Sequence, residues 1–190
     1  METLKPDICV IGGGSGGLSV AAAVAAFGVF VVLVEKHKMG GDCLNTGCVP
    51  SKALLAAARH AHALREAGEF GVGADAINVD AKKVHDHVHG VIAAIAPIDS
   101  VERFTGLGVR VIKGEARFKD KRTVAVGDLE IRARRFVIAS GSSPATPPIP
   151  GLDSVPFLTN ESIFALNALP RHLLIIGGGP LGLELAQAFR

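Results

Sequence analysis

No tryptophan and no tyrosine occur among the 190 residues, so nine phenylalanines are the whole aromatic complement. A core must then be filled by small and branched side chains. The abundance of Ala, Val and Gly suits helices packed closely on a parallel sheet. Three cysteines are too few for the disulfide framework of a secreted scaffold. The formal charge of +2 argues against a nucleic-acid surface and against a polybasic membrane contact, so neither is expected as a partner. Residues 1–6 are polar and the first apolar run breaks at Gly12-Gly13-Gly14. No signal peptide is therefore expected, and a cytoplasmic location is the default.

What is present is apolar and punctuated. Hydrophobic residues make up 48% of the chain, enough for a sizeable core. Residues 18–34 are apolar apart from Ser19, yet a span needs about 20 such residues. An Ala-rich stretch up to Gly28 followed by a β-branched run reads instead as a buried helix turning into a buried strand. Strands are expected at 8–11, 29–34, 109–112, 123–126, 129–132, 136–139 and 173–176. Helices are expected at 18–27, at 51–67 with Pro50 in the first turn, at 79–104 with a bend or break at Pro97, and from 183 onward. Gly127-Asp128 is a two-residue hairpin turn. Five prolines in residues 144–156 mark a linker. The fold class that follows is α/β.

Two glycine loops stand out. Gly12, Gly14 and Gly17 form G-x-G-x-x-G between a strand and a helix. The first glycine permits the tight turn, the second lets backbone approach a pyrophosphate, and the third lets helix and strand pack closely. Glu35, ending the next strand, can accept from a ribose hydroxyl. Gly177, Gly179 and Gly182 repeat the pattern about 165 residues later, which suggests two dinucleotides. The last helix stops at Phe189-Arg190 with no cap and no following strand, so the chain is expected to be an N-terminal fragment. Residues 1–150 would form one nucleotide-binding domain, incomplete, and 151–190 a linker and the first βα unit of a second.

Cys43 and Cys48 lie in Gly40-Gly41-Asp42-Cys43-Leu44-Asn45-Thr46-Gly47-Cys48-Val49-Pro50-Ser51-Lys52, just downstream of the first loop. A dithiol can store two electrons as a disulfide. Residues five apart on an α-helix point about 140° apart, whereas a bridge needs Cα atoms within about 7 Å. Pairing thus requires a departure from helix, which Gly47 and Pro50 favour. A helix starting near Pro50 would set its positive end close to Cys48 and favour a thiolate. Half a zinc site is the rival reading of this spacing, but no second ligand pair completes it. Cys9 reads as a core residue. His85 and His89 would share a helix face and could hold an ion weakly; the interleaved Lys82, Lys83 and Asp86 favour a solvated face, as for His60 and His62, and no metal site is assigned.

These residues resemble the flavoprotein disulfide reductases of the pyridine-nucleotide type, which include dihydrolipoamide dehydrogenase, mercuric reductase and glutathione reductase. The similarity runs through the first glycine loop, Glu35-Lys36, the Gly-Gly-x-Cys to Pro-Ser-Lys segment, Ala139-Ser140-Gly141 and the second loop. It implies a Rossmann-like FAD domain followed by an NAD(P) domain. Gly12, Gly14, Ser15 and Gly17 would hold the FAD pyrophosphate and Glu35-Lys36 the adenosine ribose. Gly41, Asp42, Ser140 and Gly141 would also belong to the flavin site, with the Ala116 backbone at the adenine. Gly177, Gly179 and Gly182 would receive NAD(P)H. The resemblance also implies that Cys48 faces the flavin, that Cys43 exchanges with substrate, and that Lys52 sits near the flavin N5 and pairs with Glu184.

Ser140 replaces the usual Thr of Ala-Thr-Gly and keeps the hydroxyl. Pro180 stands where glutathione reductase has a tyrosine. With Ser51, this looks more like the dihydrolipoamide and mercuric branches than the glutathione branch. The implied activity passes electrons between NAD(P)H, FAD, the Cys43–Cys48 pair and a small disulfide, a protein-bound lipoamide or a metal ion, in a homodimer whose partner supplies a His–Glu acid–base pair. None of the seven histidines lies in that motif. The alternatives are an incomplete FAD-binding module without turnover and a glutathione reductase-like member.

Overall fold

A computed structural model describes residues 2–73 and 76–190. The chain divides into two compact units, Met1–Asn45 with Ile95–Ser143, and Thr46–Ala94 with Pro144–Arg190.

The first unit contains every strand among the described residues. β2 (Ile8–Ile11), β3 (Val31–Glu35), β4 (Val109–Lys113) and β8 (Arg135–Ile138) form a parallel sheet in the order β4-β3-β2-β8. A second sheet, in the order β1-β7-β6-β5, joins β1 (Glu2–Leu4) to a meander of β5 (Arg117–Asp120), β6 (Thr123–Val126) and β7 (Leu129–Arg132). β1 runs parallel to β7, and the meander strands run antiparallel.

The unbroken apolar run of β3 follows from burial on both faces. Val31 and Leu33 pack with Val10, Val109, Leu18 and Ala21 of α1 (Ser15–Ala25), and Phe104 of α5 (Val101–Gly106). Val32 and Val34 pack with Cys9, Leu4, Val124, Val126 and Ile131 on the other side. The parallel sheet is thus a middle layer between helices and meander. Cys9 is fully buried there, and burial pushes its thiol up to about 12. The expected core role of Cys9 holds.

The second unit is helical. It holds α3 (Cys48–Glu66), most of α4 (Ala81–Ile95), α6 (Asn160–Ile163) and α7 (Pro180–Phe189), with α3 packed on α7. The helix expected over 79–104 is three pieces: α4, a 3-10 turn Ala96–Asp99 containing Pro97, and α5, whose N-cap Ser100 accepts from the Arg103 N–H at 3.1 Å. The break at Pro97 follows from its missing N–H and ring bulk. β1, β5 and the short helix α2 (Gly41–Asn45) carry no periodicity long enough to have been read from sequence.

One expectation fails. Residues 173–176 form no strand. A strand is defined by ladder hydrogen bonds to a neighbour, and all strands among the described residues lie in the other unit. The segment keeps an alternating exposure, with Leu174 and Ile176 exposed.

Gly17 and Gly16 make opposite predictions although they are neighbours in α1. A Cβ on Gly17 would overlap the Gly12 carbonyl oxygen, whereas one on Gly16 meets nothing within 4 Å. Gly17→Ala should cost about 1–3 kcal/mol, and Gly16→Ala should be neutral or stabilise by up to about 1 kcal/mol. Urea denaturation of the two variants checks this; equal midpoints would contradict it.

Candidate active site

The first glycine loop is shaped by backbone meeting backbone. Gly12 adopts φ +111°, and its α-carbon lies against the Ala139 carbonyl at the end of β8, whose Ala139 N–H donates to the Ile11 carbonyl at 2.8 Å. Gly14 is the N-cap of α1, in extended geometry at φ −84° and ψ −176°. No side chain caps this helix and no acid lies in its first turn. The N-terminal amides around Ser15, Gly16 and Gly17, together with the helix dipole, therefore suit an anion.

Glu35 sits at the end of β3 and is only 8% exposed. Its Oε2 accepts from the Gly13 N–H and its Oε1 from the His37 N–H, both at 2.5 Å. A carboxylate has about four acceptor sites, so sites remain for hydroxyl donors. Lys36 follows it, exposed. Ala116, between β4 and β5, packs partly buried on the meander side of the core. Ser140 and Gly141 are exposed, immediately beyond the Ala139 that touches Gly12.

The same unit brings the cysteine segment to this loop. Gly40 donates its N–H to the Gly13 carbonyl at 2.8 Å and forms a parallel bridge with Gly14. A Cβ on Gly41 would lie 2.6 Å from the Gly14 Cα. This double-glycine clasp starts α2, in which Asp42 occupies the first turn and Cys43, half-buried, is the third residue. Asn45 Nδ2 donates to the carbonyls of Met39 and Gly41 at 3.1 and 2.8 Å, closing α2 on its own lead-in. The clasp and Asn45 escaped the sequence reading, although the Gly-Gly doublet signalled a close backbone approach.

In the second unit Cys48 is the exposed first residue of α3, following Gly47 at φ −132° and ψ −111°. The two cysteines lie in separate helices with a non-helical break between them, as the spacing argument requires. α3 starts two residues before the expected Pro50, so Cys48 itself stands at its positive end. Ser51, 3% exposed, donates its N–H to the Gly47 carbonyl at 3.0 Å and its Oγ–H to the Cys48 carbonyl at 3.3 Å. Asn160 Nδ2 reaches the Thr46 carbonyl at 3.4 Å, a further tie on this segment with no sequence signal.

Lys52 Nζ lies 2.5 Å from Glu184 Oε1, joining residues 132 positions apart. The Lys52 ammonium holds the Glu184 carboxyl below its ordinary range, with a further hydrogen bond from Ser51. α7 rises from a loop that repeats the first. Gly177 has φ +115°, the N-cap Gly179 is extended at φ −73° and ψ 171°, and Gly182 packs on the Gly177 carbonyl. Pro180 occupies the first turn, where no N–H is missed. Each loop thus fits the diphosphate of a dinucleotide.

The sequence profile of the pyridine nucleotide-disulphide oxidoreductases matches residues 6–190. The chain belongs to that family. Mercuric reductase of Streptomyces lividans is 39% identical over 193 residues, covering 96% of this chain and 40% of that protein. Mercuric reductase of Bacillus cereus is 37% identical over 183 residues, covering 96% and 29%. Dihydrolipoyl dehydrogenase of Haloferax volcanii is 36% identical, covering 96% and 40%.

Among solved structures, the HOCl-induced flavoprotein disulfide reductase RclA of Escherichia coli superposes with a TM-score of 0.80 at 28% identity, over 96% of this chain and 39% of that one. A Cu(II) complex of a mutant of it gives 0.82 at 27%, over 98% and 40%. The chain therefore spans between 29% and 40% of the length of these relatives. Membership fits the α/β architecture and the Rossmann-like glycine loops. No helix among the described residues is long and apolar enough to cross a membrane.

The Lys52–Glu184 pair predicts a pH dependence of defined sign. A carboxyl whose folded value is depressed contributes stability above its unfolded value, about 4.3, and loses it as pH falls through the folded value. Glu184→Gln should therefore be less stable than the parent at pH 7, and the difference should close in acid. Paired denaturation curves at neutral pH and near pH 3 test this; a gap that persists in acid assigns the effect to packing.

Proposed function

We propose that this chain is the flavin- and thiol-bearing part of an FAD-dependent disulfide oxidoreductase. The observation that carries the reading is the clasp of Gly40-Gly41 on Gly13-Gly14, which fixes the helix bearing Cys43 beside a loop suited to a dinucleotide diphosphate. In this reading residues 1–150 belong to the FAD-binding part, and 151–190 are a linker followed by the glycine loop and helix that open an NAD(P)-binding domain.

In this reading the α1 amides from Ser15 to Gly17 hold the FAD diphosphate, and Glu35 accepts from the adenosine ribose with Lys36 beside it. The Ala116 backbone lies at the adenine, and Gly41, Asp42, Ser140 and Gly141 line the remainder. The flavin supplies a two-electron carrier that exchanges with nicotinamide on one side and sulfur on the other. Gly177, Gly179 and Gly182 hold the diphosphate of NAD(P)H. Lys52 sets a positive charge at the reducing centre, and Glu184 fixes that ammonium in place.

The thiols of Cys43 and Cys48 give up two electrons and two protons as their S–S bond forms, and the reverse step regenerates the dithiol. Cys48, at the positive end of α3, is the sulfur that communicates with the flavin, and Cys43 is the sulfur that exchanges with substrate. The substrate class is a small or protein-borne disulfide or a thiol-seeking metal ion, which the similarity to mercuric reductases and a dihydrolipoyl dehydrogenase supports. A cytoplasmic homodimer is the setting we assign to the whole protein.

A visible spectrum of the protein supplied with FAD tests this. A bound-flavin band is expected, with a long-wavelength shoulder on mild reduction. Cys48→Ser should abolish the shoulder and Cys43→Ser should retain it. A protein that stays colourless with added FAD, or a shoulder that survives Cys48→Ser, would overturn the assignment.

A further inference from the structure

His85 and His89 are used by nothing described so far. They stand one turn apart on α4, with ring centroids 4.2 Å apart and ring planes inclined at 43°. His89 Nε2 lies 3.1 Å from the Phe164 carbonyl at the end of α6. A carbonyl oxygen only accepts, so Nε2 carries the proton and Nδ1 keeps its lone pair. His85 Nδ1 lies 3.2 Å from Asp86 Oδ1. Lys82, 2.7 Å from the other Asp86 oxygen, holds that carboxyl below its usual range with a smaller contribution from His85. The carboxylate is therefore an acceptor, so His85 donates from Nδ1, and in the neutral ring the lone pair is on Nε2.

Each ring thus has one nitrogen anchored to an oxygen and the other free to donate electrons. A ring N–H held by a carboxylate or a backbone carbonyl is the arrangement that fixes tautomer and orientation in metal-bound histidines. One ion with metal–imidazole bonds of ~2.0–2.1 Å needs its two donor nitrogens within about 4 Å of each other, a spacing that small rotations of two rings one helical turn apart, with centroids 4.2 Å apart, can set. The His85 side chain is 26% exposed, which admits an ion from solvent. No group of three or more His, Cys, Asp or Glu donors forms among the described residues, so water or an exogenous ligand completes the coordination.

We propose that His85 and His89 form an open two-imidazole site for a borderline divalent transition-metal ion, with Asp86 and the Phe164 carbonyl as the groups that orient the rings. Imidazole nitrogens suit Cu(II), Ni(II) and Zn(II) over the hard, oxygen-seeking ions, so Ca(II) and Mg(II) are not ligands of this site. The inference does not depend on the flavin or on the redox role of Cys43 and Cys48.

Cu(II) is the probe, added to protein in which Cys43 and Cys48 are both changed to Ser so that thiols neither bind nor reduce it. Electron paramagnetic resonance should show one tight equivalent coupled to two imidazole nitrogens. His85→Ala and His89→Ala should each weaken binding by at least about tenfold and leave at most one coupled imidazole. His87→Ala, on the same helix but turned away, should change neither number. Circular dichroism checks that α4 persists in each variant. Two-imidazole coupling that survives His85→Ala or His89→Ala, or a first equivalent that binds no more tightly to the parent than to either variant, would overturn the proposal.

Discussion

The constraint on which the first unit depends is the approach of main chain to main chain around Gly12, Gly14, Gly17 and Gly41. Three segments distant in sequence, the strand β2 with its following helix, the lead-in to α2, and the end of β8, are brought within van der Waals reach with no side chain between them. At Gly12 the backbone sits at a positive φ that side-chain-bearing residues rarely adopt. At Gly17 a single methyl would push helix α1 off its own strand. The same closeness leaves the α1 amides open, because nothing is present to cap them. Close packing and the open helix N-terminus therefore have one cause.

The second loop separates what is local from what is tertiary. Gly177, Gly179 and Gly182 reproduce the turn, the extended N-cap and the helix-on-carbonyl packing of Gly12, Gly14 and Gly17, yet the preceding segment carries no ladder. The turn is thus encoded by glycine positions and by the start of α7. The strand requires partners, and its apolar residues Leu174 and Ile176 remain exposed. The apolar run at 173–176 was read as a strand, and the structure does not form one; an apolar run becomes a strand only when a neighbour supplies hydrogen bonds.

Much of the remainder was legible for physical reasons that can be named. The unbroken apolar run of β3 signalled burial on both faces, and the structure divides it residue by residue between two cores. Pro97 signalled a break because it removes a helix donor. By contrast, β1 and β5 were invisible: each is short, and β5 is exposed along its whole length, so neither leaves a period in the sequence. Glu35 was found by its position at a strand end, but its grip on the Gly13 and His37 amides was not. Asn160 could not have been found, because its contact with Thr46 spans 114 positions and depends on how α6 is placed within its unit.

The cysteine segment shows how one short stretch can be held at several points without being a regular element. Its beginning is clasped by Gly40-Gly41 and tied by Asn45. Its end is set by Ser51, which bonds back to both Gly47 and Cys48, and by Asn160 reaching the Thr46 carbonyl. One turn on, Lys52 is held by Glu184 from α7. The dithiol role proposed for Cys43 and Cys48 calls for freedom in the residues between the sulfurs and fixity on either side. Gly47, with backbone angles outside the helical region, interrupts the helix between them, and the Ser51 amide and hydroxyl bonds fix the start of α3. A single regular helix would have given rigidity throughout and turned the two sulfurs away from each other.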